Sequence, residues 1–492
     1  MTDAESWLVG TCDEILGRRV PSLLLSPIEA GMNSVMAVRL AALVSTRFDV
    51  DLNPAAVLRA PSLVSLVEGV LPRPPRQLDL PETDFVALSD MQMAFYVADE
   101  LSGGGNAFHC PLAWKLGASL SPRTLDLALR DLAARHPLLR GTLSFEGDDL
   151  GFRMAEKTGS RLVRLRAADE RSALARLREA IEEPLLADPD APLWKAFLCT
   201  YGEAGEEGHF FVLMNHHMLV DWVSAQVLLR DLSEFYTRRE SGEYPLVTAT
   251  PLVRVLQERR RRDGEARHDS TAYWAEKLEA LPEPPLKGGG PHRHDEIRLP
   301  AALTERLRRI ALRQQCTLHS VLLSCFMAAY HAWTGEDDLV VGVSYAFPRS
   351  GLSSNVCAPL MNTLCIRTRL PPRGGDPAAL LHNVAEQVLD GILHGELPVA
   401  KVAAAVTPAR RGSPLFGVSF SYQENGAPAL SLGVRSEPLL LPVRSMFPVV
   451  IAAEPRNDEI HVSATSCLPS GQGCGALLSR FAGFCEGLSG SR

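Results

Sequence analysis

The sequence lacks the features that mark membrane, secreted and metal-binding proteins. No apolar stretch is long enough to cross a bilayer, and residues 1–7 include acidic side chains where a secretory signal would carry positive charge. The ten cysteines form no CxxC pair and no Cys/His spacing typical of zinc, so neither a disulfide scaffold nor a metal site is indicated. These absences predict a protein of the reducing cytoplasm, without a membrane partner.

An excess of basic residues is also missing. The chain has 50 Lys and Arg against 58 Asp and Glu, and this net charge of −8 argues against a nucleic-acid partner. The arginine run at 259–262 is interpreted as a solvated helix end. With 46% hydrophobic and 22% charged residues, the 492-residue chain has the composition of a globular protein of roughly three folding units.

Proline and glycine clusters divide the chain into three segments. The first, to about residue 71, has helical periodicity throughout and predicts a small bundle. The Pro-rich stretch 72–76 cannot continue a helix and predicts a linker. A second break at 282–291 divides the rest into two parts in which helical segments alternate with short β-rich runs. This pattern predicts an α+β fold with two lobes.

Periodicity also predicts individual elements of these lobes. Apolar residues at helical spacing predict helices at 125–136, 223–236, 303–314 and 321–333. Apolar runs of strand length predict strands at 209–215, 339–343, 364–370, 418–422 and 449–453. The first of these strands runs into a histidine pair, so we expect both imidazoles at a strand-to-helix junction that faces a cleft.

A serine in the first segment has two interpretations. Ser34 follows Gly31, Met32 and Asn33, and an isolated serine there most often caps a helix by accepting a backbone amide. In a helical module of about 70 residues, however, the segment resembles the G-x-D-S loop of acyl and peptidyl carrier proteins, with Asn33 in place of the aspartate. The resemblance implies a four-helix carrier bundle over residues 1–72, with covalent 4'-phosphopantetheine on Ser34.

The segment from His216 to Asp221 contains two adjacent histidines and an aspartate four residues after the second. This spacing is rare by chance in a chain with 13 histidines. One interpretation is a buried histidine pair, with Asp221 capping the helix that starts at Trp222. The other is catalytic, because a neutral imidazole suits proton transfer near neutral pH.

This segment resembles the H-H-x-x-x-D-G motif of condensation domains from nonribosomal peptide synthetases, relatives of chloramphenicol acetyltransferase. Further motifs of that family occur in order, at residues 88–92, 135–140, 273–274, 338–342, 361–364, 413–416 and 422–423. The resemblance covers about residues 85–490. It implies a linker at 73–84 and a two-lobed condensation domain at 85–492, with an N-lobe at about 85–265 and a C-lobe at about 266–492.

The resemblance also implies roles for the residues of the motif. His217 matches the catalytic second histidine of the family, and His216 would be structural. Asp221 would pair with an arginine, here Arg349, to hold the loop. Trp222 replaces the glycine that ends the motif, which predicts a gate in one substrate channel.

The implied activity is acyl transfer in natural-product biosynthesis, by a nonribosomal peptide synthetase or a hybrid with a polyketide synthase. A thioester donor would condense with an amine or hydroxyl to form an amide or an ester. Implied partners are a phosphopantetheinyl transferase, upstream synthase modules, and a downstream acceptor carrier or a free small molecule. No second carrier follows, which predicts an excised didomain or a terminal module. The alternative, which Trp222 favours, is a catalytically degenerate domain that docks carriers or recruits tailoring enzymes.

Overall fold

A computed structural model describes most of the chain as a small helical unit followed by two lobes, each built on a β-sheet. It describes residues 2–490 except 33, 49–51, 53, 69–82, 102–105, 157–158, 160, 189, 204–206, 246, 265–267, 348, 350–352, 371–374, 407–413, 424–425, 427–428, 442–443, 446 and 470–472. The predicted linker lies almost entirely outside this range.

The first unit contains helices α1 (Asp3–Leu16), α2 (Ser34–Phe48) and α3 (Pro54–Arg59) and a 3-10 turn at Val64–Leu66. Thr2 and Glu5 form a capping box at the start of α1. Leu8, Cys12 and Phe48 are buried in its core. After α3 the described chain forms a 3-10 turn rather than an α-helix, since the amides of Leu63 and Val64 donate to the carbonyls of Leu25 and Leu23.

The N-lobe follows, with most of its elements between residues 85 and 264. Its helices are α4 (Asp90–Leu101), α5 (Pro122–Arg135), α6 (Glu170–Ile181), α7 (Trp222–Glu240) and α8 (Leu252–Gly264). Its strands are β1 (Phe85–Ala87), β2 (His109–Leu116), β3 (Gly141–Glu146), β4 (Asp149–Met154), β5 (Leu162–Ala167), β6 (Trp194–Tyr201) and β7 (Gly208–His216). The predicted strand at 209–215 and helix at 223–236 are therefore confirmed.

The C-lobe comprises most of the remaining chain. Its helices are α9 (His268–Lys277), α10 (Ala301–Arg313), α11 (Leu318–Thr334), α12 (Pro377–Leu393), α13 (Val399–Val406) and α14 (Gly475–Gly490). Its strands are β8 (Arg293–Leu299), β9 (Asp338–Ala346), β10 (Met361–Arg369), β11 (Val418–Tyr422), β12 (Ser436–Pro438), β13 (Val449–Arg456) and β14 (Glu459–Ser466). All predicted strands of this half are present.

Sheet topology joins the two lobes. Six strands form the C-lobe sheet in the order β10-β9-β11-β13-β14-β8, while the larger N-lobe sheet has the order β12-β2-β7-β6-β5. Strand β12 thus leaves its own lobe and pairs antiparallel with β2. Residues 356–360 and 430–432 likewise contribute buried side chains to the N-lobe core. The lobes are therefore not two simple consecutive halves of the chain.

The arginine run lies near the end of α8, and Arg260 and Arg261 are exposed as the sequence interpretation expects, but Arg259 departs from it. Arg259 is half-buried, and its guanidinium lies 3.7 Å from the ring centroid of Phe347. It also donates to the carbonyl of Glu396. The helix end is therefore part of the contact between the lobes.

The helical unit contacts the C-lobe through α3 and α12. Leu389 of α12 packs against the core of the helical unit, and Arg59 Nη2 lies 3.7 Å from Asp390 Oδ1. Both charged side chains remain largely exposed. Across the described ranges, no helix is long and apolar enough to cross a membrane.

Candidate active site

The two histidines lie where a buried strand becomes a tight turn. Strand β7 ends at His216, and His217 begins the turn that leads to α7. The backbone amide of His216 donates to the carbonyl of Leu193, and that of His217 donates to the carbonyl of Phe108. These bonds to neighbouring segments fix the backbone of both residues within the core of the N-lobe.

His217 is half-buried, and its ring stacks on Phe95 of α4 with 4.7 Å between centroids. Burial lowers the pKa of His217, while the nearby carboxylate of Asp221 acts in the opposite direction. The imidazole is therefore neutral at neutral pH, the form that can accept a proton. Its Nδ1 has no hydrogen-bond partner among the described residues.

His216 is fully buried. Its Nδ1 accepts a hydrogen bond from the amide of Met218 at 3.1 Å, which closes the turn. The ring stacks near Phe108, with centroids 5.9 Å apart. Its Nε2 lies 3.8 Å from Oδ2 of Asp99 on α4. These contacts give His216 the surroundings of a structural residue.

Asp221 caps α7 and pairs with Arg349. Its Oδ1 accepts from the amide and the hydroxyl of Ser224, and Nη2 of Arg349 lies 2.7 Å from both carboxylate oxygens. The amide of Leu360 donates to Oδ2. Arg349 also donates to the carbonyls of Val356 and Ala358. The structure thus brings together the two residues that the sequence analysis paired, both buried.

Trp222 is the first residue of α7 and is half-buried. Its indole Nε1 is shielded from solvent and has no hydrogen-bond partner in the described part of the chain. A narrow cleft between the lobes is lined by Ser89, Met91, Arg259, Phe347, Pro359, Met361, Asn362 and Pro398. Neither Trp222 nor His217 is among the described residues that line it, so the channel role of Trp222 stays a prediction.

Two other family motifs contribute buried side chains that form hydrogen bonds within the fold. His136 lies 3.0 Å from Asp231, both buried. The amide group of Asn362 donates to the carbonyls of Gly395 and Leu397. These two motifs therefore join segments that are distant in sequence.

Three α4 side chains contact the histidine turn: Gln92, Phe95 and Asp99. Sequence reasoning noted Gln92 only as part of a motif and missed Phe95 and Asp99. Their spacing along one helical face is the signal that would have grouped them.

The first unit fits a covalent phosphopantetheine. Helix α2 begins at Ser34, although the Ser34 side chain lies outside what the structure describes. In the preceding loop, Gly31 has φ +90°, and an added Cβ would lie 2.8 Å from Nη2 of Arg18. The Arg18 guanidinium therefore lies beside Gly31, and its Nη2 donates to the carbonyl of Ala30 in the same loop. No cluster of metal-ligating side chains occurs among the described residues.

Comparison with known families matches both units. Residues 6–70 match the family described as phosphopantetheine attachment site, and residues 82–464 match the condensation domain family. The first match indicates a covalently attached 4'-phosphopantetheine.

Individual relatives agree with these matches. Cyclosporin synthetase simA from Tolypocladium inflatum is 26% identical over 442 residues, covering 85% of this chain but 3% of its own length. The X-domain from teicoplanin biosynthesis matches with a TM-score of 0.70 at 22% identity, covering 84% of this chain and 96% of its own. The first condensation domain of the calcium-dependent antibiotic synthetase matches with a TM-score of 0.68 at 18% identity, covering 82% and 96%. The chain belongs to the condensation-domain family and carries a phosphopantetheine carrier unit in front of that domain.

Proposed function

We propose that the chain transfers an acyl group from a carrier-bound thioester to an amine or hydroxyl, forming an amide or ester in natural-product biosynthesis. The observation that carries this proposal is the half-buried, neutral imidazole of His217 on a rigid turn. Its neighbour His216 is fully buried, so His217 is the more accessible member of the pair. The carrier unit in front of the condensation domain supports delivery of the donor.

His217 moves the proton in the proposed reaction. The phosphopantetheine arm, when attached at Ser34, supplies a thiol that carries the acyl group in activated form. His217 takes the proton of the attacking N–H or O–H as the new C–N or C–O bond forms. When the C–S bond breaks, the same imidazole returns that proton to the sulfur and is neutral again. Positioning of the two substrates at this ring can contribute about 7–11 kcal/mol.

The remaining residues act by holding the turn. We propose that His216 supports it from within the core and that Asp221, paired with Arg349, fixes its far end. Trp222 is the proposed gate of one substrate channel. The proposed partners are a phosphopantetheinyl transferase, upstream synthase modules, and a downstream acceptor carrier or free small molecule. Ten free thiols support a reducing compartment, the cytoplasm.

Two successive experiments test this function: attachment of phosphopantetheine, and then transfer of an acyl group. After incubation with a phosphopantetheinyl transferase and coenzyme A, we expect the intact mass to rise by one phosphopantetheine, and Ser34→Ala to abolish the rise. With an acyl group loaded and candidate acceptors added, we expect His217→Ala to lose product formation by about 10²–10⁴-fold, the usual contribution of general base catalysis.

The control is His382→Ala, which removes an exposed imidazole on α12 and should leave turnover unchanged. Normal turnover in His217→Ala would remove that residue from the mechanism.

A docking platform without catalysis is the second candidate. Its motivation is Trp222, which stands where the family motif has glycine, and an X-domain of the same fold has been solved in complex with OxyB. This candidate predicts that the loaded wild-type chain forms no product with any acceptor, yet binds a carrier or a tailoring enzyme in a pull-down of purified components.

A further inference from the structure

One face of α4 contacts the histidine turn at three points. Gln92, Phe95 and Asp99 follow the spacing i, i+3, i+7 and therefore lie on the same face. Gln92 Nε2 donates to the carbonyl of Met218 at 2.8 Å, Phe95 stacks on His217, and Asp99 lies beside His216. The helix thus touches the backbone of the turn and both imidazoles.

Asp99 is a carboxylate with only 1% of its surface exposed. A buried charge is costly unless nearby polar groups compensate it, so the polar groups around the Asp99 carboxylate are important for its stability. Two imidazoles are among its neighbours, His109 and His216. His109 has both ring nitrogens occupied, since Nδ1 donates to the carbonyl of Ile181 and Nε2 accepts from the amide of Leu185. This ring is therefore held in one neutral tautomer.

Unlike the His109 ring, the His216 ring has one N–H group that no described residue accepts. Because its Nδ1 accepts from the amide of Met218, its proton is on Nε2. That nitrogen faces Asp99 Oδ2 at 3.8 Å and has no hydrogen-bond partner among the described residues. The carboxylate therefore favours one tautomer and one orientation of the His216 ring.

We propose that Asp99 is a positioning residue for the acyl transfer, acting on His217 through His216. This inference rests on the proposed function. The His216 ring is the acceptor for the Met218 amide, and Met218 is the residue directly after His217. If the ring rotates, that amide loses its acceptor and the turn shifts beneath His217. A displacement of about 1 Å at a reacting group can cost about 10²-fold in rate.

The test compares Asp99→Asn with Glu100→Gln. Both substitutions replace a carboxylate by an amide of the same shape, but Glu100 is exposed and adjacent on α4. We expect Asp99→Asn to lower kcat by about 10–100-fold while KM for donor and acceptor stays within about twofold, because the substrates are still bound. Glu100→Gln should leave both constants unchanged.

Nitrogen NMR of histidine-labelled protein gives a second, substrate-free readout. We expect the His216 ring signals to report the Nε2–H tautomer in the wild type and a mixture in Asp99→Asn, with assignments from His216→Asn. Asp99→Glu keeps the charge and should retain the wild-type tautomer, so it tests the idea if Asp99→Asn does not fold.

Two results would overturn the proposal: wild-type kcat in folded Asp99→Asn, or a loss of kcat without a change in the His216 signals. Altered signals in Asp99→Glu as well as Asp99→Asn would also contradict it. An inactive wild-type protein would contradict the proposed function instead, and the tautomer measurement would still stand.

Discussion

At the residue scale, the Asp221–Arg349 pair connects the histidine turn to the segment that follows strand β9 of the C-lobe. Asp221 receives hydrogen bonds from Ser224 and Leu360 as well as from Arg349. Both charges are almost fully buried, and the surrounding hydrogen bonds offset part of their desolvation. Removing one partner leaves the other charge buried without its counter-ion.

We therefore expect Arg349→Met to lower the free energy of unfolding by about 3–5 kcal/mol, measured by urea denaturation. Arg309→Met is the matched control, because Arg309 and Glu305 form an exposed pair on α10 whose loss should cost no more than about 1 kcal/mol. A loss below about 1 kcal/mol in Arg349→Met would contradict the structural role.

At the element scale, the start of α7 combines a helix cap with a bulky side chain. Asp221 caps the helix, so the residue after it begins the first turn whatever its size. Trp222 occupies this position, and its Nε1 is buried without a partner in the described residues. Such an unpaired donor is unfavourable in a purely structural role. A ligand that passes the ring could accept its hydrogen.

Trp222→Gly should therefore change substrate preference more than folding. Removing the ring widens the space beside the helix start, and we expect the ratio of kcat/KM between a large and a small acyl donor or acceptor to rise by about 10-fold or more. Trp222→Phe keeps a ring and should largely preserve the wild-type ratio. An unchanged profile in Trp222→Gly would refute the gate.

At the scale of the whole molecule, the carrier unit touches the condensation domain through α3 and α12. Among the described residues, this contact includes Leu389 against the carrier core and a largely exposed ion pair, Arg59 with Asp390. Exposed pairs contribute at most about 1 kcal/mol. A weak contact suits a carrier that must leave one position to reach another.

Arg59→Glu should weaken the docking of the carrier unit on α12 without unfolding the carrier, because the Arg59 side chain is largely exposed. We expect the docked population, measured by distance between spin labels on α2 and α12, to fall by up to about fivefold, since about 1 kcal/mol is lost. The charge-swapped double variant Arg59→Glu with Asp390→Arg should restore it. No restoration would show that the ion pair does not hold the units together.

Much of the local structure could be predicted because it depends on neighbours in sequence. The apolar run before His216 is a strand, and the cap at Asp221 starts α7. Apolar residues that recur with a period of 2 or 3.6 residues mark the buried face of a strand or a helix. These elements could therefore be predicted without knowledge of the fold. The family motifs also located the histidine turn.

Local patterns and motifs were sufficient to predict the alternation of helices and strands, the carrier unit and the turn that holds His217. Which distant side chains meet at that turn depends on the packing of the whole fold. Phe95 and Asp99 contact the two imidazoles because α4 lies against the histidine turn, and β12 joins the N-lobe sheet from the far half of the chain. Local periodicity carries no information about such pairings, since they depend on how complete elements pack and which buried polar groups then need partners.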